Sequence, residues 1–325
     1  MREDNYSSLR RKQSFTVLIV LIVVLSNPWN LSRLYGSSNR NIQLRETING
    51  NGNGDAAVQV LATDIIMKRG WRGAGGPFVV ESHKLIFFSF PKVACTVWKQ
   101  LFRRMEGYDV WIGKKAKIHD PLFNGLKYLT QYSLENATRI MNDPAYTKAA
   151  FVRDPKDRFL SAFLDKGLQQ DGIFVLDHCC RTDKQCWPES NRSLAHFFEL
   201  TKVCRDEHWI PMNERLDSKY LPLIDFIGSM DNQQEDAKRL LQIIGAWDDF
   251  GASGWGVNGT EQIFQSKSTV THATSSNASD AWNRMNKYYT PELERAVEER
   301  YAGDYDIFHL PRKKIRFQHE IVSIN

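Results

Sequence analysis

Two short segments place cationic and hydroxyl side chains where an apolar run gives way to a helix-forming one. In the first, Phe87-Phe88-Ser89-Phe90 leads into Pro91-Lys92-Val93-Ala94-Cys95-Thr96 and then Val97-Trp98-Lys99. In the second, Ala150-Phe151-Val152 leads into Arg153-Asp154-Pro155-Lys156-Asp157-Arg158 and then Phe159-Leu160-Ser161-Ala162. A junction of strand, loop and helix turns backbone N–H groups towards a bound anion. Lys92 follows its strand directly and can cover a phosphate or sulfate held by the amides of residues 93–97, with the Thr96 hydroxyl beside it. Arg153 ends its strand with a forked guanidinium suited to a terminal phosphate, and Ser161 offers a further hydrogen bond. Either cation alone reads as a solvated charge at a strand end. Together, each before a helix start, they indicate a ligand with two separate anionic groups.

Those positions depend on the elements that carry them. Lys84 to Phe90 is an apolar run of strand length closed by Pro91, and the helix over Thr96 to Arg104 aligns Val97 and Leu101 with Met105 on one face. Residues 133–142 read as a helix and Lys148 to Arg153 as a second strand. Asp154 caps the next helix with Pro155 at its first position. Helical spacing there sets Arg158 and Ser161 a turn apart on one side, with Phe159, Ala162 and Phe163 towards the core. Leu223 to Ser229 reads as a further strand before a helix from about Gln233 to Ile244. Strands alternating with helices imply an α/β fold, a central parallel sheet flanked by helices with ligands at the carboxyl ends of its strands.

The chain has 325 residues, 42% of them hydrophobic, which is enough for one large or two modest domains with a buried core. Its 43 Lys and Arg against 38 Asp and Glu give a net charge of +5, too balanced to indicate a nucleic-acid partner. Residues 1–14 carry Arg2, Arg10, Arg11 and Lys12 and read as a cytosolic tail before the uncharged run from Phe15 to Leu25. With Trp29 and Leu31 as interfacial padding, residues 15–31 read as a signal anchor in the membrane. The apolar run is shorter than the roughly 20 residues of a spanning helix, so a cleaved signal peptide is the alternative. Residues 32–62, which include Asn49-Gly50-Asn51-Gly52-Asn53-Gly54, read as a flexible stem, and 63–325 as the folded domain beyond the membrane.

Glycosylation sequons at Asn30, Asn136, Asn191, Asn258 and Asn277 agree with that topology. Of the five cysteines, Cys95 lies in the first anion loop, while Cys179, Cys180, Cys186 and Cys204 form a cluster suited to two disulfides. Three pairings exist, and strain disfavours joining the adjacent Cys179 and Cys180. A zinc site from the four with His178 or His208 is the weaker reading, because no Cys-x-x-Cys spacing occurs. The Gly-x-x-x-x-Gly-Lys-Ser/Thr loop of triphosphate binders is absent, and the glycine-rich Gly70 to Gly76 precedes a strand and reads as a loop.

Pro91-Lys92-Val93-Ala94-Cys95-Thr96 with Trp98-Lys99 resembles the 5′-phosphosulfate loop of Golgi carbohydrate sulfotransferases of the chondroitin and dermatan 4-O-sulfotransferase group. Phe151-Val152-Arg153-Asp154-Pro155 with Arg158, Ser161 and Ala162 resembles their 3′-phosphate motif. The resemblance continues through Leu126-Lys127, Gln131-Tyr132-Ser133, Glu207-His208-Trp209, Ile224-Asp225-Phe226-Ile227-Gly228 and Lys267-Ser268-Thr269. It covers most of residues 85–308 in order. Val97 stands where the family commonly has Asn, Gly167 to Cys204 diverges, and the family's Cys and His near residues 211–223 are missing.

What the resemblance implies is a single P-loop-like sulfotransferase domain. It would transfer a sulfuryl group from 3′-phosphoadenosine 5′-phosphosulfate (PAPS) to a hydroxyl of a glycan in the Golgi lumen, without a metal. Pro91, Lys92, Val93, Ala94, Cys95, Thr96 and Val97 would surround the 5′ end, Arg153, Arg158 and Ser161 the 3′-phosphate, and Lys267 and Ser268 would complete the cofactor set. Lys92 would stabilise charge on the leaving phosphate. His119, which matches a family histidine position, is the first candidate for the base, and His208 with Glu207 behind it is the second. Trp209, Trp255 and Trp282 are candidates to stack on sugar rings, against the more common core role of aromatics. The alternatives are the same cofactor with a non-glycan acceptor, a lumenal glycosyltransferase using Asp304-Tyr305-Asp306 for a metal, and an inactive binder of sulfated glycans. Oligomeric state stays open.

Overall fold

The computed structural model describes residues 76–113, 117–216, 218–265 and 284–317. The expected tail, anchor and stem, the domain start at 63, Lys267, Ser268 and Trp282 lie outside the described residues. In chain order the main elements are β1 (Phe78–Val80), β2 (Leu85–Phe88), α1 (Cys95–Met105), α2 (Leu134–Asn142), β3 (Thr147–Val152) and α3 (Pro155–Ala162). Then follow α4 (Ile173–His178), α5 (Leu194–Val203), β4 (Phe226–Ser229), α6 (Gln233–Ile243), α7 (Pro291–Arg300) and α8 (Ala302–Ile307). Among the described residues no helix is long and apolar enough to cross a membrane.

The four strands form one sheet in the order β1-β2-β3-β4. β2, β3 and β4 run parallel, with Phe88 opposite Ala150 and Val152 opposite Ser229. β1 runs antiparallel to β2, so the sheet is mixed where the sequence implied a parallel one. The antiparallel edge exists because β1 and β2 are separated only by Glu81–His83 and a left-handed Lys84, a connection far too short for a parallel crossover. Gly228 lets β4 pass close to β3: a Cβ there would come within 2.5 Å of the Phe151 ring. The expected strand from Leu223 starts later, at Phe226, because Ser218–Leu223 forms 3₁₀ turns that include Pro222.

Two apolar cores result. One surrounds the sheet, where α1 supplies Val97, Trp98, Leu101, Phe102 and Met105, and Trp98 lies 4.8 Å from the Phe87 ring and 4.6 Å from the Phe151 ring. The other is helical, built on Phe159, Phe163, Phe197, Trp187, Trp209, Val297, Tyr301 and Tyr305. α3 leaves the end of β3 and enters this second core. All of its residues except Asp157 are buried, Lys156, Arg158 and Ser161 included. Lys156 is satisfied there by Glu294 and Glu298, each at 2.8 Å, and by the Lys313 carbonyl. Disulfides Cys179–Cys204 and Cys180–Cys186 staple the segment around α4 and leave Cys95 free.

Candidate active site

The first anion loop, from Ser89 to Ala94, joins β2 to α1. Lys92 and Ala94 both hold left-handed backbone conformations, with φ of 68° and 51°, so the chain curls before the helix begins. Ala94 caps α1 without a side-chain hydrogen bond, and the Val93 and Val97 amides are already bonded to the Phe90 and Ala94 carbonyls. An α-helix cannot itself satisfy the amides at its first positions, so those of Ala94, Cys95 and Thr96 stay available to an anion. The Val93 and Val97 side chains are buried in the sheet core. Lys92 places its ammonium 3.0 Å from Asp165. Burial pulls the lysine below its ordinary pKa, and the Asp165 carboxylate opposes that shift.

Because β2 and β3 are parallel neighbours, the second loop emerges beside the first. Arg153 joins them: Nη1 donates to the Lys92 carbonyl at 2.8 Å and Nε to Asp157 at 2.7 Å. Its Nη2 has no hydrogen-bond partner among the described residues, nor has the Ser161 hydroxyl on α3. Asp154 accepts from the amides of Lys156 and Asp157, the cap the sequence predicts. Arg158 has a different setting. Its wholly buried guanidinium donates to the carbonyls of Pro91 at 3.0 Å, Ile210 at 2.7 Å and Glu207 at 3.0 Å. It thereby ties the Lys92 loop to the turn that carries His208.

Two imidazoles lie on this side of the molecule. His119 Nε2 is 3.1 Å from the Thr96 hydroxyl, and burial together with the charges of Lys99, Lys166 and His208 pushes its pKa down to about 4. His208 is backed by Asp206, whose Oδ1 meets both its ring Nδ1 and its backbone N–H, the latter at 3.0 Å. Glu207 turns instead to Arg215, at 3.1 Å. Burial lowers the pKa of His208 and Asp206 raises it.

Sequence reasoning missed Asp165, Lys166 and Asp206. α3 widens into a π-helix over Phe163–Leu168, and this turn brings Asp165 to Lys92, a common device at functional sites. Asp206, two residues before His208, carried a signal of its own as an acidic residue able to cap its own turn. Trp209 and Trp255 are fully buried core residues, so neither presents a ring to a sugar. Asp304 is also buried and accepts from the amides of Met212 at 2.9 Å and Asn213 at 2.8 Å, a structural cap in place of a metal ligand.

The chain is similar to several carbohydrate sulfotransferases. Carbohydrate sulfotransferase 9 of Homo sapiens is 28% identical over 193 residues, covering 52% of this chain and 41% of the relative. Carbohydrate sulfotransferase 11 of Rattus norvegicus is 35% identical over 192 residues, 51% of this chain and 52% of the relative. Carbohydrate sulfotransferase 10 of Gallus gallus is 36% identical over a shorter 91 residues, 27% of this chain and 25% of the relative. The chain spans about half the length, or less, of these curated relatives. No solved structure matches. A model of the Sulfotransferase family matches residues 77–311, which takes in the whole sheet and both anion loops, and the chain therefore belongs to the sulfotransferase family.

Proposed function

We propose that this chain transfers a sulfuryl group from PAPS to a hydroxyl of a carbohydrate. The observation that carries the reading is the junction of the two anion loops at adjacent parallel strands, with Arg153 bonded to the Lys92 carbonyl at 2.8 Å. Two anionic ends of one ligand then meet two cationic loops. The residues present fit that ligand: the amides of Ala94, Cys95 and Thr96 open the start of α1, and Arg153 Nη2 and the Ser161 hydroxyl lack protein partners among the described residues.

PAPS, when bound, supplies the sulfuryl group and a phosphate leaving group. Lys92 and the amides at the start of α1 hold the 5′ end, and Lys92 neutralises the charge that grows on the leaving oxygen. Arg153 and Ser161 grip the 3′-phosphate, with Lys267 and Ser268 as further cofactor contacts from the resemblance. Arg158 acts by fixing the loop that carries Lys92. The acceptor proton goes to one of two imidazoles, His119 or His208.

The relatives are named as carbohydrate sulfotransferases, which supports a glycan acceptor. Two disulfides and exposed sequon residues Asn136, Asn191 and Asn258 support a lumenal domain, held at the Golgi membrane by the anchor over residues 15–31. The buried, capped Asp304 disfavours a glycosyltransferase that would need Asp304 and Asp306 on a metal.

Radiolabelled sulfate supplied as PAPS, offered with a panel of desulfated glycans, tests the reading. Transfer to at least one glycan is expected, with Lys92→Ala slower by about 10²-fold or more. A requirement for a sugar nucleotide and manganese, with no sulfate transferred, would overturn it.

A further inference from the structure

His119 and His208 differ in what stands behind them. Asp206 Oδ1 accepts from the His208 ring Nδ1 and from its backbone N–H at 3.0 Å, while Oδ2 lies 3.5 Å from His178 Nε2. A carboxylate only accepts, so the His208 proton sits on Nδ1 and the lone pair remains on Nε2. No described residue hydrogen-bonds to Nε2, and the side chain keeps 20% of its surface exposed. The turn itself is fixed, since the amides of Trp209 and Ile210 bond to the Asp206 carbonyl. Arg158 then locks the carbonyls of Glu207 and Ile210 to that of Pro91, so His208 and Lys92 each follow a residue held by the same guanidinium. His119 has none of this support. Its Nε2 is engaged with the Thr96 hydroxyl and no carboxylate hydrogen-bonds its ring.

We propose that His208 Nε2 takes the proton of the acceptor hydroxyl, and that Asp206 is the positioning residue that sets its tautomer and stabilises the resulting imidazolium. The inference rests on the sulfotransferase reading above. As the hydroxyl proton passes to Nε2, the acceptor oxygen bonds to sulfur. The bond from sulfur to the 5′-phosphate breaks, its electron pair staying on the phosphate oxygen opposite Lys92. The proton leaves His208 for solvent after the product departs. A carboxylate, an oriented imidazole and a free lone pair form the arrangement that general-base catalysis requires.

The charged groups that face His208 are Asp206 and Glu207 from its own turn, Lys166 from the π-helix, His178 at the end of α4 through their shared Asp206, and His119 across the site. Asp206 raises the imidazole pKa, so its loss must lower it.

Three variants and three readouts test the assignment in the full chain. Histidine NMR titration of ligand-free protein should show the His208 pKa falling in Asp206→Asn while His119 barely moves. In sulfate transfer, His208→Asn should lower kcat by about 10²-fold or more with the affinity for adenosine 3′,5′-bisphosphate unchanged. His119→Asn should cost a smaller factor, about tenfold. Asp206→Asn should slow transfer and move the acid limb of kcat/KM to lower pH, a shift that loss of packing alone would not give. The assignment falls if His208→Asn binds the bisphosphate normally and keeps kcat within about threefold of wild type, or if the acid limb ignores Asp206. Wild-type protein that transfers no sulfate to any acceptor would instead sink the sulfotransferase reading, while the titration would still decide whether Asp206 sets the state of His208.

Discussion

Asp154 caps α3 from a half-buried position, and desolvation pushes its carboxyl up to about 6 from 3.8. A carboxyl whose pKa is higher folded than unfolded contributes stability below about pH 4 that is lost as pH rises through 6. Asp154→Asn keeps the capping oxygen and removes the titration. The variant's unfolding free energy, measured by urea denaturation, should therefore decline less between pH 4 and pH 6 than that of the native protein. The cap itself was legible in the sequence, because Asp followed by Pro before a helix acts through local geometry. Arg158 was not legible in this sense. The family resemblance implied a contact with the 3′-phosphate, whereas its guanidinium serves three carbonyls drawn from residues 91, 207 and 210. Partners that distant in sequence leave no periodic trace.

The strand and helix that carry each anion loop were readable from apolar runs closed by proline or a cap, and the structure keeps them within a few residues. β1 was not readable, being three residues long and defined by pairing with β2 on one side and with Lys127–Leu129 on the other. α3 was readable as a helix but not as one buried at every position except Asp157. Its Lys156 is fully enclosed between Glu294 and Glu298. Replacing it by methionine would strand the Glu294 carboxylate in the core. Lys156→Met should lower stability by about 3–5 kcal/mol, read as a fall in the urea midpoint, because removing one partner leaves an uncompensated buried charge. Asp165 escaped notice for a related reason: only the wider π-helical turn after α3 brings it to Lys92.

The described residues join a sheet core to a helical core, with the candidate site at the junction and α3 running from one to the other. The sequence left three cysteine pairings open, and the structure selects Cys179 with Cys204 and Cys180 with Cys186, one loop nested in the other. The outer bridge closes a span of 25 residues, for which chain entropy gives about 3.5 kcal/mol. The double variant Cys179→Ala with Cys204→Ala should lose stability of that order in urea denaturation under oxidising conditions, and the difference should vanish once both proteins are reduced. The helical core also depends on the chain beyond α8. Lys156 bonds to the Lys313 carbonyl, and the Ile315 amide donates to Glu294 at 2.9 Å. The family match stops at residue 311, so a recombinant fragment cut to the borders of that match would omit both groups and open the ion cluster beneath α3. Expression borders for this domain belong past residue 317, beyond the point where sequence similarity ends.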